Sequence, residues 1–169
     1  SPSGGGKTSL INKLFEDSRS MNFKKSISDT TRQKREGDIN GRDYYFLSEK
    51  EFKDKIEKEE YVEYATVFGN FYGTSKEEIK TKYNNSNLVL ELDWQGAYAV
   101  KELFYDARLI FLVPPSLEDL KQRLVTRNLD SPESIENRLS EAKKEISKSE
   151  IYDFLILNDD FDKAFEDLS

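Results

Sequence analysis

Histidine and cysteine are both absent from the 169 residues. Without His, the commonest general base and metal ligand is gone, so hydrolytic triads and typical zinc sites are excluded. Without Cys there is no disulfide, no thiolate nucleophile and no thiolate metal site, a usage consistent with a reducing compartment. No apolar run approaches the length of a membrane span, and no signal peptide is visible. Excess positive charge is lacking too: the formal charge of −7 speaks against broad, non-specific binding to nucleic acid or anionic membrane. Basic residues therefore matter only where they cluster.

What is present begins at once. Ser1-Pro2-Ser3-Gly4-Gly5-Gly6-Lys7-Thr8 matches the phosphate-loop pattern G-x-x-x-x-G-K-[ST] everywhere but the first place, where Ser1 stands for Gly. A triphosphate needs several backbone N–H groups converging on it with no side chain in the way. Successive glycines permit that path, because Gly takes positive φ at little steric cost. The amides then form an anion-binding concavity at a helix N-terminus. In such loops the Lys reaches the β- and γ-phosphates and the Thr hydroxyl binds Mg²⁺, the roles expected of Lys7 and Thr8. Ser3, Gly4, Gly5 and Gly6 supply the cradle. A surface turn beside a chance Lys-Thr is the plain alternative. It is the weaker one, because Leu10, Ile11, Leu14 and Phe15 follow directly at helical spacing. The strand that usually precedes such a loop, and a last helix, are expected outside the sequence given.

Further along, Phe23 to Ser28 reads as a short strand. Ser28 to Gly37 is a loop that packs hydroxyls around Arg32 and Arg35. The planar fork of Arg suits bidentate phosphate binding. Asn40-Gly41 predicts a hairpin turn with a returning strand from Arg42 to Ser48. Ser48 and Glu51 form a capping-box pattern that opens a helix with Phe52 and Ile56 inward. Tyr61 to Val67 alternates, which places Glu63 and Ala65 on one strand face and Tyr64 on the other. Ser75 with Glu78 starts another helix. Residues 38–74 thus read as a small, mostly antiparallel β unit with one helix, set into a larger α/β framework. That framework resumes with Leu88 to Asp93, an apolar run expected to be a buried parallel strand ending in carboxylates. Doubly wound folds place ligands beyond such strand ends. Leu109 to Val113 is a second framework strand, stopped by Pro114-Pro115, and Phe154 to Leu157 a third. Between them, Ser116 caps a helix through Leu117, Leu120 and Leu124. Ser131-Pro132 starts another, with Ile135, Leu139, Ala142 and Ile146 inward.

Four ordered motifs together resemble guanylate kinase: the phosphate loop, Ser28-x-Thr30-Thr31-Arg32-x-x-Arg35-x-Gly37, Val67-Phe68-Gly69-Asn70-x-Tyr72-Gly73-Thr74, and Leu92-Asp93-Trp94-Gln95-Gly96. Asn158-Asp159-Asp160 fits as well, and the likeness runs through nearly the whole chain. It implies a phosphate-loop parallel sheet flanked by helices, residues 1–22 and 86–169, with an arginine lid at about 123–138. Residues 23–85 would form an inserted, mostly antiparallel GMP-binding unit. It implies Mg²⁺-dependent transfer of the ATP γ-phosphoryl group to GMP, and to dGMP, within purine nucleotide metabolism in the cytoplasm. The partners would be ATP and GMP, with no nucleic acid or membrane, in a monomer or homodimer. Glu63 matches the acid that binds guanine, with Ser28 and Thr74 as hydroxyl partners of the base. Arg32, Arg35, Tyr44 and Tyr72 match the residues holding the GMP phosphate, and Asp93 a second supporting acid. Lys7, Arg123, Arg127 and Arg138 match the catalytic cations, and Asn158 an ATP contact.

Three departures stand out, the first being Asn128-Leu129-Asp130, which replaces the usual Gly-containing lid sequence after Arg127. Ser1 replaces the first loop Gly, and Glu91 stands where the family has Asp, so a carboxylate–Mg²⁺ contact there is longer by one methylene. Two other classes stay open on the residues. One is a kinase-like module that binds a phosphorylated peptide; the intact Gly6-Lys7-Thr8 argues against it. The other is a different nucleoside monophosphate kinase, against which Glu63 and the tyrosine pair argue.

Overall fold

In the computed structural model, which describes residues 1–17, 22–83, 86–126 and 132–169, helix α1 (Lys7–Glu16) begins directly on the glycine loop. It buries Leu10, Ile11 and Leu14, the stripe expected from the 3.6-residue period. The chain divides into two units: a terminal one, Ser1–Met21 with Asp106–Ser169, and a central one, Asn22–Tyr105.

In the terminal unit, β7 (Ile110–Val113) pairs in parallel with β8 (Phe154–Leu157), from Ile110 opposite Phe154 to Val113 opposite Leu157. Helix α5 (Leu117–Thr126) starts where the Ser116 hydroxyl accepts the Asp119 N–H at 3.0 Å. Helix α6 (Pro132–Ser147) carries Pro at its first position. The two pack together through Leu120, Leu124, Ile135 and Ala142, with Leu139 against them. Helix α7 (Phe161–Leu168) is capped by Asp160, whose Oδ1 accepts the Lys163 N–H at 2.8 Å, and packs on α1 and β8.

The central unit holds β1 (Phe23–Lys25), β2 (Asp29–Thr30), β3 (Tyr45–Phe46), α2 (Glu49–Glu57), β4 (Tyr61–Val67), β5 (Asn70–Ser75), α3 (Lys76–Lys82), β6 (Asn87–Val89) and α4 (Trp94–Leu103). Its four-stranded sheet runs β3-β2-β5-β4, antiparallel at β2–β5 and β5–β4. The capping box at Ser48 and Glu51 forms in full and starts α2. From α2, Phe52 stacks on Tyr61 and Phe71, with ring centroids 4.6 and 5.3 Å away. Along β4, Glu63 and Ala65 are buried and Tyr64 is exposed, as the alternation predicts. β1 and β6 pair separately, in parallel.

Three expectations are corrected. The Asn40-Gly41 turn forms, with Gly41 at φ 79°, but the strand that follows joins β2 in parallel, Asp29 opposite Tyr45, instead of closing a hairpin. The strand from Phe23 ends at Lys25, because the Ile27 N–H goes to the Glu78 carboxylate at 2.7 Å and not to a neighbouring strand. The run from Leu88 is a strand only to Val89 and is half-buried, and Asp93 at its far end caps α4. In the central unit β6 pairs with β1 and α4 packs on β4.

Candidate active site

The glycine loop turns through two left-handed positions, Gly4 at φ 90° and Gly6 at φ 96°. Any side chain there would be strained, and space forbids one besides. A Cβ on Gly5 would come 2.2 Å from Ser1 Oγ, and one on Gly6 2.4 Å from Asn158 Nδ2. At Gly4 the loop rests on Leu124 and Leu120 of α5. Gly6 is the N-cap of α1, so no side chain of the cap residue satisfies the first-turn amides. An anion is the natural partner of such a turn. Lys7 folds back so that its Nζ donates to the Ser1 carbonyl, and the Gly5 N–H donates to the Pro2 carbonyl at 2.9 Å.

Residues distant in sequence meet this loop. From α6, Arg138 Nη1 donates to Ser3 Oγ at 2.6 Å. From α5, Arg123 Nη2 donates to the Asn158 carbonyl at 2.9 Å, and Asn158 Nδ2 donates to the Gly5 carbonyl at 2.7 Å. A cleft of about 560 Å³ opens beside them, lined by Gly4, Gly6, Arg123, Thr126, Asn158 and Phe161 among others. Loop, Lys7, two arginines and Asn158 thus form one cationic and amide-rich place.

In the central unit, Glu63 is 7 % exposed and its Oε1 accepts the Thr74 hydroxyl at 2.6 Å. Burial pushes the Glu63 carboxyl above its usual range, and the Asp93 charge adds to this, while the bonds from Thr74 oppose it. Helix α4 comes so near that a Cβ on Gly96 would stand 2.6 Å from Glu63 Oε2. Asp93 caps that helix, its Oδ1 accepting the Gly96 N–H at 2.9 Å.

β5 places Tyr72 and Thr74 two residues apart on one face, a spacing of roughly 7 Å. At the Tyr72 end, Tyr44 packs edge-on with a centroid distance of 5.8 Å. The Arg32 guanidinium lies 5.3 Å from the Tyr44 ring centre and 5.5 Å from that of Phe46. Asp38 fixes this arginine, its Oδ2 accepting from Arg32 Nη2 at 2.9 Å and from the Arg35 N–H at 2.8 Å. Burial alone would raise the Asp38 pKa, but the Arg35 and Arg32 bonds outweigh it and hold the carboxyl below its usual range. Burial, with the Glu91 charge adding to it, pushes the Tyr44 hydroxyl well above its usual range, so it stays a neutral donor. Ser28 enters β2 half-buried, its carbonyl accepting the Tyr45 N–H at 2.9 Å.

Arg127 and Asn128-Leu129-Asp130 lie outside the described residues. The two residues expected at a metal belong to different units: Thr8 opens α1, and Glu91 pairs with Lys25 at 3.6 Å in the central unit. Among the described residues no group of three acidic side chains could hold a metal by itself. Sequence reasoning passed over Asp38 and Gly96 as site residues. The signal for Asp38 was faint, one of two acids just after Arg32 and Arg35; for Gly96 it was a glycine in the first turn of a helix, where it is disfavoured without a packing reason.

These features define a class: an α/β nucleotide-binding protein with a phosphate loop in one unit and a buried acid beside an arginine–tyrosine cluster in the other. A sequence model of the guanylate kinase family matches residues 1–169. A guanylate kinase of Wolbachia sp. subsp. Brugia malayi is 46 % identical, over 100 % of this chain and 87 % of its own. That of Hahella chejuensis is 48 % identical, over 99 % and 80 %. The crystal structure of guanylate kinase from Anaplasma phagocytophilum superposes with a TM-score of 0.78 at 35 % identity, over 95 % of this chain and 77 % of that one. The chain belongs to the guanylate kinase family, the ATP:GMP phosphotransferases among the nucleoside monophosphate kinases.

Proposed function

We propose that the terminal unit holds MgATP on the glycine loop and that the central unit holds GMP, or dGMP, by its base on Glu63 and its phosphate on the arginine–tyrosine cluster. The observation that carries the acceptor assignment is the buried pair of Glu63 and Thr74. Guanine offers N1–H and N2–H₂ donors side by side, which a carboxylate accepts together, and adenine lacks that pair. Ser28 and Thr74 would add hydroxyl bonds to the base, and Asp93 would support the acid. Some 7 Å along β5, Tyr72 with Tyr44, Arg32 and Arg35 would take the phosphate.

Phosphoryl transfer asks mainly for positioning and charge neutralisation. Lys7 would leave the Ser1 carbonyl for the β- and γ-phosphates, while Ser3 and the loop amides cradle them. Arg138, Arg123 and Arg127 would neutralise charge on the transferring group. The loop fits a nucleotide-bound Mg²⁺, because the phosphates themselves bring most of its oxygen ligands and Thr8 needs to add one hydroxyl. Glu91, paired with Lys25 at 3.6 Å, would be the carboxylate that supports such an ion. The ion would draw charge from the phosphate oxygens. No covalent intermediate is required, which agrees with a chain without His or Cys.

No described helix is long and apolar enough to cross a membrane. A cytoplasmic setting, where ATP and GMP meet, and a monomer or homodimer complete the proposal. Isothermal titration of GMP against AMP tests it. Tight binding of GMP with AMP at least ~100-fold weaker supports the Glu63 assignment, whereas equal binding, or binding of neither, contradicts it.

A further inference from the structure

Asn158 follows β8 and is 4 % exposed. Its N–H donates to the Val113 carbonyl at 2.8 Å, which extends the β7–β8 ladder by one residue. Its own carbonyl accepts from Arg123 at 2.9 Å, and its side-chain Nδ2 donates to the Gly5 carbonyl at 2.7 Å. Backbone and side chain therefore act on different neighbours. The sheet fixes the residue, and the residue in turn grips both the loop and α5.

The grip on Gly5 falls at a telling place. A trans peptide is planar, with its C=O and the following N–H pointing in opposite directions. Drawing the Gly5 carbonyl toward Asn158 turns the Gly6 N–H the other way. Gly4 and Gly6 are both left-handed, and such glycines rotate readily. A concavity of amides binds anions only while those amides converge. The missing Cβ of Gly6 is also what lets the amide approach, since a methyl there would meet Nδ2 at 2.4 Å.

We infer that Asn158 is a positioning residue for the phosphate loop. Its side chain sets the Gly5–Gly6 peptide, and its carbonyl keeps Arg123 beside the same loop. The inference rests on the loop being the ATP phosphate site. It goes further in assigning the Asn158 side chain to the shape of that loop.

Binding by inorganic magnesium tripolyphosphate, which has no base, separates that role from contact with the base. Wild type, Asn158→Asp and Asn158→Ala are each titrated with tripolyphosphate, MgATP and GMP. Loss of one buried hydrogen-bond partner is expected to weaken tripolyphosphate and MgATP by the same factor, roughly tenfold. Asn158→Asp, which turns an acceptor against the Gly5 carbonyl, should be the weaker of the two, and GMP affinity should stay within about threefold. Should Asn158→Asp not fold, Asn158→Ala tests the same bond. Weakened MgATP with unchanged tripolyphosphate would assign the side chain to the base and overturn the inference, as would no change in either. A parallel loss of GMP affinity would show damage spread beyond the loop and count against it equally. Wild type that binds neither tripolyphosphate nor MgATP would overturn the phosphate-loop reading itself, and the inference with it.

Discussion

Glu63→Gln changes one atom of the acid and leaves its size. The buried side chain can keep its bond from Thr74, because the amide oxygen can occupy the Oε1 place 2.6 Å from that hydroxyl. The new NH₂ then falls at the Oε2 place, near Gly96. There it would meet one of the two guanine donors that the carboxylate accepts, leaving that donor and the new NH₂ both without an acceptor. Each buried donor left without a partner costs about 1–3 kcal/mol, so the pair costs about 2–6 kcal/mol in substrate binding. At about 1.4 kcal/mol per tenfold, this is a loss of some ~30- to 10⁴-fold in kcat/KM for GMP, measured by coupled ADP release with MgATP saturating. Stability should move the other way. The folded-state pKa of Glu63 is raised, so the group's favourable contribution is present at low pH and lost as pH rises through the folded value. Above that value the ionised, buried Glu63 destabilises the free protein, and there Glu63→Gln should melt at the same temperature or higher. For the same reason GMP turnover should fall, as pH is lowered, at a pH above the ordinary carboxyl value of 4.5. A variant that melts normally and keeps kcat/KM for GMP within threefold would refute the Glu63 assignment.

Lys7→Ala should abolish phosphoryl transfer while GMP affinity, measured by titration, stays within a few-fold, since Lys7 lies in the terminal unit and the residues proposed for GMP in the central one. Gly96→Ala should lower kcat/KM for GMP by about tenfold or more with a smaller effect on MgATP binding, because the added methyl would stand 2.6 Å from Glu63 Oε2 and displace it. Phe52→Ala should destabilise by about 3–5 kcal/mol in urea unfolding, because the ring is fully buried between Tyr61 and Phe71.

What could be read from the chain before folding was whatever local rules govern. The glycine run before Lys7, the box at Ser48 and Glu51 and the alternation around Glu63 each depend on neighbours within a few residues, and each formed as expected. Pairing partners were less legible. Asn40-Gly41 does make its turn, yet a turn says nothing about which strand waits beyond it, and Tyr45 found Asp29. The strand limit at Lys25 was set by a side chain, Glu78 taking the Ile27 N–H, which an apolar run does not announce. Hidden most completely were contacts between distant residues. Asn158 reaches Gly5 across 153 positions, and Gly96 backs Glu63 only because α4 packs on β4.

This chain moves the terminal phosphoryl group of ATP onto GMP. Incubating the protein with γ-labelled ATP, Mg²⁺ and an equimolar mixture of GMP and AMP tests it in one tube. Label found in GDP, at least ~100-fold above label in ADP, is the expected result. Label released as inorganic phosphate, shared evenly between the two acceptors, or left wholly in ATP would contradict it.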